Sequence, residues 1–418
     1  MSVALAVRSA GACFSRGGAG LGEAVDAFLD SRPRPPRLLG LGEPTHGVEV
    51  FAGSRNRLLR HLVRVWGYRS VALESDCLAG LAVDDHVTSG VGDVEEVMAV
   101  GFSHGFGELA ANRELVEWLR AYNAGRAEAD QVRFYGFDAP VEITAASSPR
   151  EALSGLHGYL TEHVGAERVP HAWARIDELV GEDGAWTEPE AMFDPRRSVG
   201  ASARARELRV VTDDLVGVLS AEAPGLVAAT SVRELERARL YARTARGLLR
   251  YHAVMACAEE GRGARMARLV AARDAMMADH LRAVVRGERG RGPSLVFAHN
   301  QHLRRDRGGM TMGGEELTWW SAGAVAATDL GGEYAVIAAD AGSVPGLGVA
   351  GADTFQGVLR EAAGEGALWR ADRLASALAG APVARRADSD HTYFPLDPED
   401  LGGVDGVFFV GEAAPGSG

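Results

Sequence analysis

Short runs of consecutive apolar residues alternate along this chain with longer stretches whose apolar positions return once per helical turn. The short runs fall at Arg37–Glu43, Tyr68–Ser75, Gln131–Asp138, Pro293–Asn300, Tyr334–Asp340 and Gly406–Glu412. They read as short apolar runs of strand type, and helical stretches separate most of them. The pattern therefore predicts an α/β protein with a mostly parallel sheet covered by helices on both faces. From about Pro149 to Arg291 the strand pattern gives way to Arg, Glu, Ala and Leu at helical spacing, which predicts a large helical insertion. The expected organisation is a first core part at 1–148, the insertion at 149–290 and a second core part at 291–418.

Composition narrows the function more than the fold. The 418 residues are 46% hydrophobic and 24% charged, and no apolar run reaches the length of a membrane span. A net charge of −13, spread along the chain, argues against nucleic acid as a partner. All 44 basic residues are arginine. With no lysine there is no Walker A loop, no pyridoxal Schiff base and no Ser-Lys dyad. Cys13, Cys77 and Cys257 are far apart and in no metal-knuckle spacing. The first arginine comes only at position 8, which does not resemble a secretory signal, so a cytoplasmic protein is expected.

In open α/β sheets ligands bind beyond the carboxyl ends of the strands. Here those ends carry Glu43 and His46, Glu74 and Asp76, Asp138, and His299 and His302. An isolated acid in a βα loop can be a helix cap, but capping does not explain two histidine-bearing loops among four acidic strand ends. In Gly-Glu-Pro-Thr-His-Gly (42–47) the glycine-bracketed turn lets Glu43 and His46 face one cleft, where a carboxylate raises the basicity of an imidazole. The next helix aligns Phe51, Leu58, Leu59, Leu62 and Trp66, with Arg55 inside that stripe. A guanidinium on a core face needs an anion, so Arg55 is expected to pair with Glu43 or Glu74. A later helix repeats the device, with Arg273 on the face of Met276, Met277, His280 and Val284. Asp138, Arg273, Met277, His280 and His104 are the expected substrate contacts. Met276, Met277 and Trp173 are expected to wall the cleft, with the loop His391–Pro395 as another wall.

Taken together, these segments resemble the erythromycin esterase family. The resemblance runs through Gly-Glu-Pro-Thr-His-Gly, the Arg55 helix, Val-Ala-Leu-Glu-Ser-Asp (71–76), Trp-Leu-Arg-Ala-Tyr-Asn (118–123) and Tyr-Gly-Phe-Asp (135–138). It continues through Arg273-Asp274 with Met277, Ala-His-Asn-Gln-His (298–302) and Val-Asp-Gly-Val (404–407). It implies a three-layer α/β/α core with a helical insertion, and hydrolysis by activated water with no covalent intermediate, cofactor or metal. Carried over, it makes His46 the general base, with Glu43, Arg55, Glu74, His299 and His302 completing the site. The sequence departs from the family pattern at Asp279–His280, where an asparagine is expected, and around His104, where a tryptophan is missing. Both departures suggest an altered substrate wall.

Other readings compete. Glu-x-x-His and His-x-x-His loops with Glu74 are a conceivable metal shell, although the spacing is not that of helical zinc proteases. Gly101-Phe-Ser-His-Gly105 matches a nucleophile elbow, with Asp138 and His299 in the right order, but a strand must precede the serine and the sequence there is helical. Gly40-Leu-Gly42 lacks the remainder of a dinucleotide fingerprint. The same His/Glu/Arg set also suits a lyase, cyclase or acyl transferase of natural-product biosynthesis. A non-enzymatic binding protein has no use for two carboxylate-paired imidazole clusters. The expected partner is a small molecule. Substrate identity and oligomeric state are not encoded in any of these patterns.

Overall fold

The computed structural model describes residues 2–142, 145–258, 261–312, 314–386 and 392–413. In chain order its strands are β1 (Gly11–Phe14), β2 (Leu38–Glu43), β3 (Ser70–Asp76), β4 (Arg133–Asp138), β5 (Val141–Glu142), β6 (Ala145–Ala146) and β7 (Ser294–His299). They continue with β8 (Arg307–Met312), β9 (Glu315–Trp320), β10 (Tyr334–Ala341), β11 (Ser343–Val344), β12 (Gly348–Val349), β13 (Gly366–Arg370) and β14 (Gly406–Val410). Eight of them form one sheet in the order β1-β13-β14-β10-β2-β7-β3-β4. The six from β14 to β4 are parallel and are the six predicted from the sequence. β13 and β1 extend that edge antiparallel.

Side chains alternate between the faces of the sheet with the period of a pleated strand. Leu39, Leu41, Val71, Leu73, Leu295 and Phe297 pack on one face with Phe28, Leu59, Leu62 and Leu119. Leu38, Ala72, Val296 and Ala298 pack on the other with Met277, Leu281, Ala326 and Leu359. The fold is accordingly α/β, with helices on both sides of the sheet. Between β6 and β7 the described residues form helices and short turns, gathered around a separate apolar cluster that includes Leu153, Leu156, Leu208, Leu215 and Leu249. Its last helix, Arg262–Gly287, bridges the two parts. Met266 and Leu269 belong to a cluster with Tyr251 and Met255, while Met277, Leu281 and Val285 lie in the sheet's core. The middle of this helix, at Arg273 and Asp274, is thereby held beside the carboxyl edge of the sheet. Among the described residues no helix is long and apolar enough to cross a membrane.

The strand order β2-β7-β3-β4 makes Glu43, His299, Glu74 and Asp138 neighbours along one edge. Glu43 is in direct register with His299. Pairing between β3 and β4 slips between Leu73 and Asp76, a bulge of the kind that re-aims a side chain. A Cβ on Gly136, opposite this bulge, would lie 2.2 Å from the Asp76 carbonyl oxygen, so the close approach requires glycine. Gly42 has a similar reason. Its Cβ would stand 2.0 Å from Oδ1 of Asn300, whose amide spans to β10 by bonding both the N–H and C=O of Ala339.

Candidate active site

Glu43 ends β2 and His46 lies three residues on, before a turn completed by Gly47 at φ +77°. Nδ1 of His46 is 2.7 Å from Glu43 Oε1, and Nε2 faces Glu74 Oε1 at 3.7 Å. The His46 side chain is 39% exposed, whereas both acids are buried. Burial works against an imidazolium here, but Glu74 and the bond to Glu43 outweigh it and raise the pKa of His46. Burial pushes Glu43 the same way, up from the usual carboxylate range, against the pull of His46 and Arg55.

Glu74 is the junction of the site. Its Oε2 accepts the His299 N–H at 2.7 Å, and its Oε1 meets Arg273 Nη2 at 3.2 Å and His302 Nε2 at 3.3 Å. Burial would raise its pKa, but His302, His46 and Arg273 together hold the carboxyl far below the usual range. His302 sits between two acids, with Nδ1 2.7 Å from Asp274 Oδ1. Asp274 is held in turn by Trp319 Nε1–H and the Ala322 N–H, both 2.9 Å from Oδ2. Burial disfavours charge on His302, yet Asp274 and Glu74 prevail and its pKa is raised. Both ring nitrogens of His302 thus face carboxylates, which favours the protonated form of the ring.

A second cation network borders the first. Arg273 Nε and Nη2 grip Asp138 at 2.5–3.1 Å, and His104 Nε2 donates to Asp138 Oδ2 at 3.1 Å. His104 adopts φ +57° and reaches Glu142 at 2.6 Å through Nδ1. Burial opposes its charge, but Asp138 and Glu142 raise its pKa to about 9. A group whose folded pKa lies above its unfolded value of about 6.5 stabilises fully below that value and loses its contribution as pH rises through the folded pKa. The expected consequence is a fall in stability of order 2 kcal/mol as pH rises from about 6.5 to about 9. Urea midpoints of wild type and His104→Gln across this range would test it. Parallel slopes would show that His104 is not the group responsible.

Several expected roles are revised by these contacts. Among the described residues Arg55 forms no ion pair with Glu43 or Glu74, because Glu43 turns to His46 while the guanidinium bonds Asn56 Oδ1 and lies 5.0 Å over the Phe297 ring. Burial lowers its pKa to about 10, and its charge acts on Glu43 through space. His299 is expected to share proton transfer or oxyanion contact, but both ring nitrogens are committed to backbone. Nε2 donates to the Pro44 carbonyl at 3.0 Å and Nδ1 accepts the Gln301 N–H at 3.2 Å. Burial, with His46 nearby, lowers its pKa to about 3, so its ring is neutral.

Met277 is fully buried in the sheet core rather than at a cleft wall. His280 bonds the Phe137 carbonyl at 2.9 Å and faces a different cavity, described below. Trp173 packs on the outlying helical cluster beside His157. Met276 does adjoin the site, in a cluster with Trp319 and Tyr251. The other walls are Phe106, with its ring edge-on to His46 at 5.3 Å, and Phe394, edge-on to His299 at 4.8 Å. The Phe394 N–H donates to Pro44, while His391, from the same expected wall, lies outside the described residues. Ser103 follows the helix Val94–Val100 rather than a strand, and its hydroxyl accepts the Asp76 N–H, so it is not the serine of an elbow.

Sequence reasoning assigned no role to Asp274, Glu142, Phe106 or Trp319. Asp274 had a usable signal, an acid adjacent to a core-facing arginine on one helix. The hairpin carrying Trp319 gave none, because Arg307–Met312 is polar and glycine-rich.

A sequence model of the family described as erythromycin esterase matches residues 63–353. The chain belongs to the erythromycin esterase family. The matched span contains Glu74, Asp138, Arg273, Asp274, His299 and His302 but begins after Glu43, His46 and Arg55. No curated protein matches the chain. Among solved structures, a Bacillus cereus protein superposes with TM-score 0.72 at 15% identity, covering 98% of this chain and 97% of its own. A succinoglycan biosynthesis protein gives TM-score 0.70 at 16% identity over 98% and 96%. A mutant of the erythromycin esterase EreC in its open conformation gives 0.63 at 18% identity, covering 91% of each chain. At these identities the structural likeness establishes a shared fold, and the family rests on the sequence match.

Proposed function

We propose that this member of the erythromycin esterase family hydrolyses an ester or lactone of a natural product by His46-activated water. The observation that carries this reading is the pairing at His46. Glu43 holds Nδ1 at 2.7 Å, which directs the lone pair of Nε2 toward Glu74, 3.7 Å away. That separation exceeds a direct hydrogen bond and suits a water bonded to both groups. His46 takes the water's proton as oxygen attacks the acyl carbon, and the resulting imidazolium returns a proton to the leaving alkoxide. The cations His302 and Arg273, held on Glu74, stabilise the negative charge that builds on the acyl oxygen. Phe106 and Phe394 offer apolar edges to a large-bodied substrate. The reading uses no cofactor, because the Arg273 guanidinium already supplies the cation on Glu74. A small-molecule substrate and a cytoplasmic location belong to the same proposal.

The test is turnover of macrolide lactones and simpler esters in ¹⁸O-labelled water, with and without EDTA, read by mass spectrometry. Ring-opened acid carrying the label, unchanged by EDTA, is the expected result. Loss with EDTA would overturn the metal-free route. Unlabelled product formed only with an added alcohol would replace hydrolysis by acyl transfer, and no turnover of any ester would favour a lyase or cyclase.

A further inference from the structure

A cavity of about 220 Å³ lies apart from the active-site cleft, at the sheet edge formed by β4. Its walls come from β4, from the helix Gly80–Ser89 and from the two long helices Val232–Met255 and Arg262–Gly287. Leu81, Phe134, Leu240, Ala283 and Val284 make much of the wall apolar.

Five arginines reach this cavity, and four are already neutralised. Arg133 pairs with Glu128, Arg233 with Asp84, Arg237 with Asp85 and Arg291 with Glu288. The remaining acid on the wall, Glu236, is taken by Arg239 at 2.6 Å. Arg243 is left over. Among the described residues it has no hydrogen bond or ion pair, and its Nε is buried without a partner. Burial lowers its pKa, and the other basic wall residue, His280, is pushed down to about 4 and stays neutral. Glu236 and Asp279 act on the part-buried Arg243 only through space, so its guanidinium keeps hydrogen-bonding capacity for an anion that enters the cavity.

We infer that this cavity is a second ligand site, which binds a small monoanionic carboxylate with an apolar body, its carboxylate on Arg243 and its body against Leu240, Phe134 and Val284. One free guanidinium matches one negative charge. A phosphate dianion would need a second cation on the wall, and the four other arginines there are already paired. The site is independent of the proposed hydrolysis, since none of its groups touches His46 or Glu74.

The test is calorimetric titration of the full chain with octanoate, an amphiphilic carboxylate of suitable size, and with octan-1-ol as the uncharged control. Saturable one-site binding of octanoate is expected, weakened about tenfold or more in Arg243→Gln and in the cavity-filling variant Ala283→Phe, and unchanged in His46→Ala. Arg243→Gln should fold normally, because it breaks no hydrogen bond or ion pair among the described residues. Absence of saturable binding would overturn the inference, as would equal affinity in Arg243→Gln or for octan-1-ol. Loss of octanoate binding in His46→Ala would place the molecule in the catalytic cleft and overturn it as well.

Discussion

Replacing His46 by alanine is expected to lower kcat on the hydrolysed ester about a thousandfold or more, with the fold intact. A positioned general base contributes roughly 10²–10⁴ in rate. Here the same ring also serves as the acid that protonates the leaving group, so the upper part of that range applies. The fold should survive because His46 is the most open of the imidazoles around Glu74, and its removal costs one bond to Glu43. Glu43→Gln provides the finer readout. With the carboxylate gone, the raised pKa of His46 should fall, and the acid limb of the kcat–pH profile should move to lower pH. Steady-state kinetics with circular dichroism of both variants would decide the matter. A His46→Ala enzyme that kept most of its turnover would remove His46 from the chemistry.

Arg273→Met is expected to have the largest effect on stability, a loss of about 3–5 kcal/mol, because it leaves buried charges uncompensated. Asp138 and Glu74 are both fully enclosed, and Arg273 is the guanidinium that meets the two of them. Burial by itself would raise the pKa of Asp138, and Arg273 with His104 holds it low. Removing the guanidinium therefore returns the desolvation cost of the acid to the folded state. Adding Asp138→Asn to Arg273→Met should recover part of the loss, since one stranded charge disappears and the two sites share a network. Urea unfolding of the single and double variants measures both terms. A single-variant loss under about 1 kcal/mol would show that the pair adds little, as exposed ion pairs do.

Much of the architecture was legible before any coordinates. The five inner parallel strands announced themselves as apolar runs because burial on both faces leaves no polar alternation, and the edge strand β4 did so by alternation of Val132 and Phe134 with Arg133 and Tyr135. β1 and β13 did not, being 4 and 5 residues long and placed at the antiparallel edge. The β8–β9 hairpin was invisible for the opposite reason. It is separate from the main sheet, with exposed Glu315 and Glu316, while Leu317 and Trp319 are buried and Met310 and Met312 pack partly against the same cluster.

The candidate site divides in the same way. That acids and imidazoles gather at one edge follows from local sequence, since each lies at the end of an apolar run and parallel strands bring such ends together. Which imidazole does what could not be read there. His299 and His302 are three residues apart in one motif, yet one has both nitrogens tied to backbone and the other lies between Asp274 and Glu74. That difference depends on Glu74 and Asp274, which lie 228 and 28 residues before His302 along the chain. Arg55 was correctly recognised as a buried cation from its helical stripe, but its partner depended on where Glu43 points. Residue type and local period thus determined the strands, the helical segment and the inventory of chemical groups, because burial acts on every residue through its immediate pattern. Partners, tautomers and charge states were decided only by the tertiary structure, because a pKa or a hydrogen bond belongs to two groups that the chain brings together from distant positions.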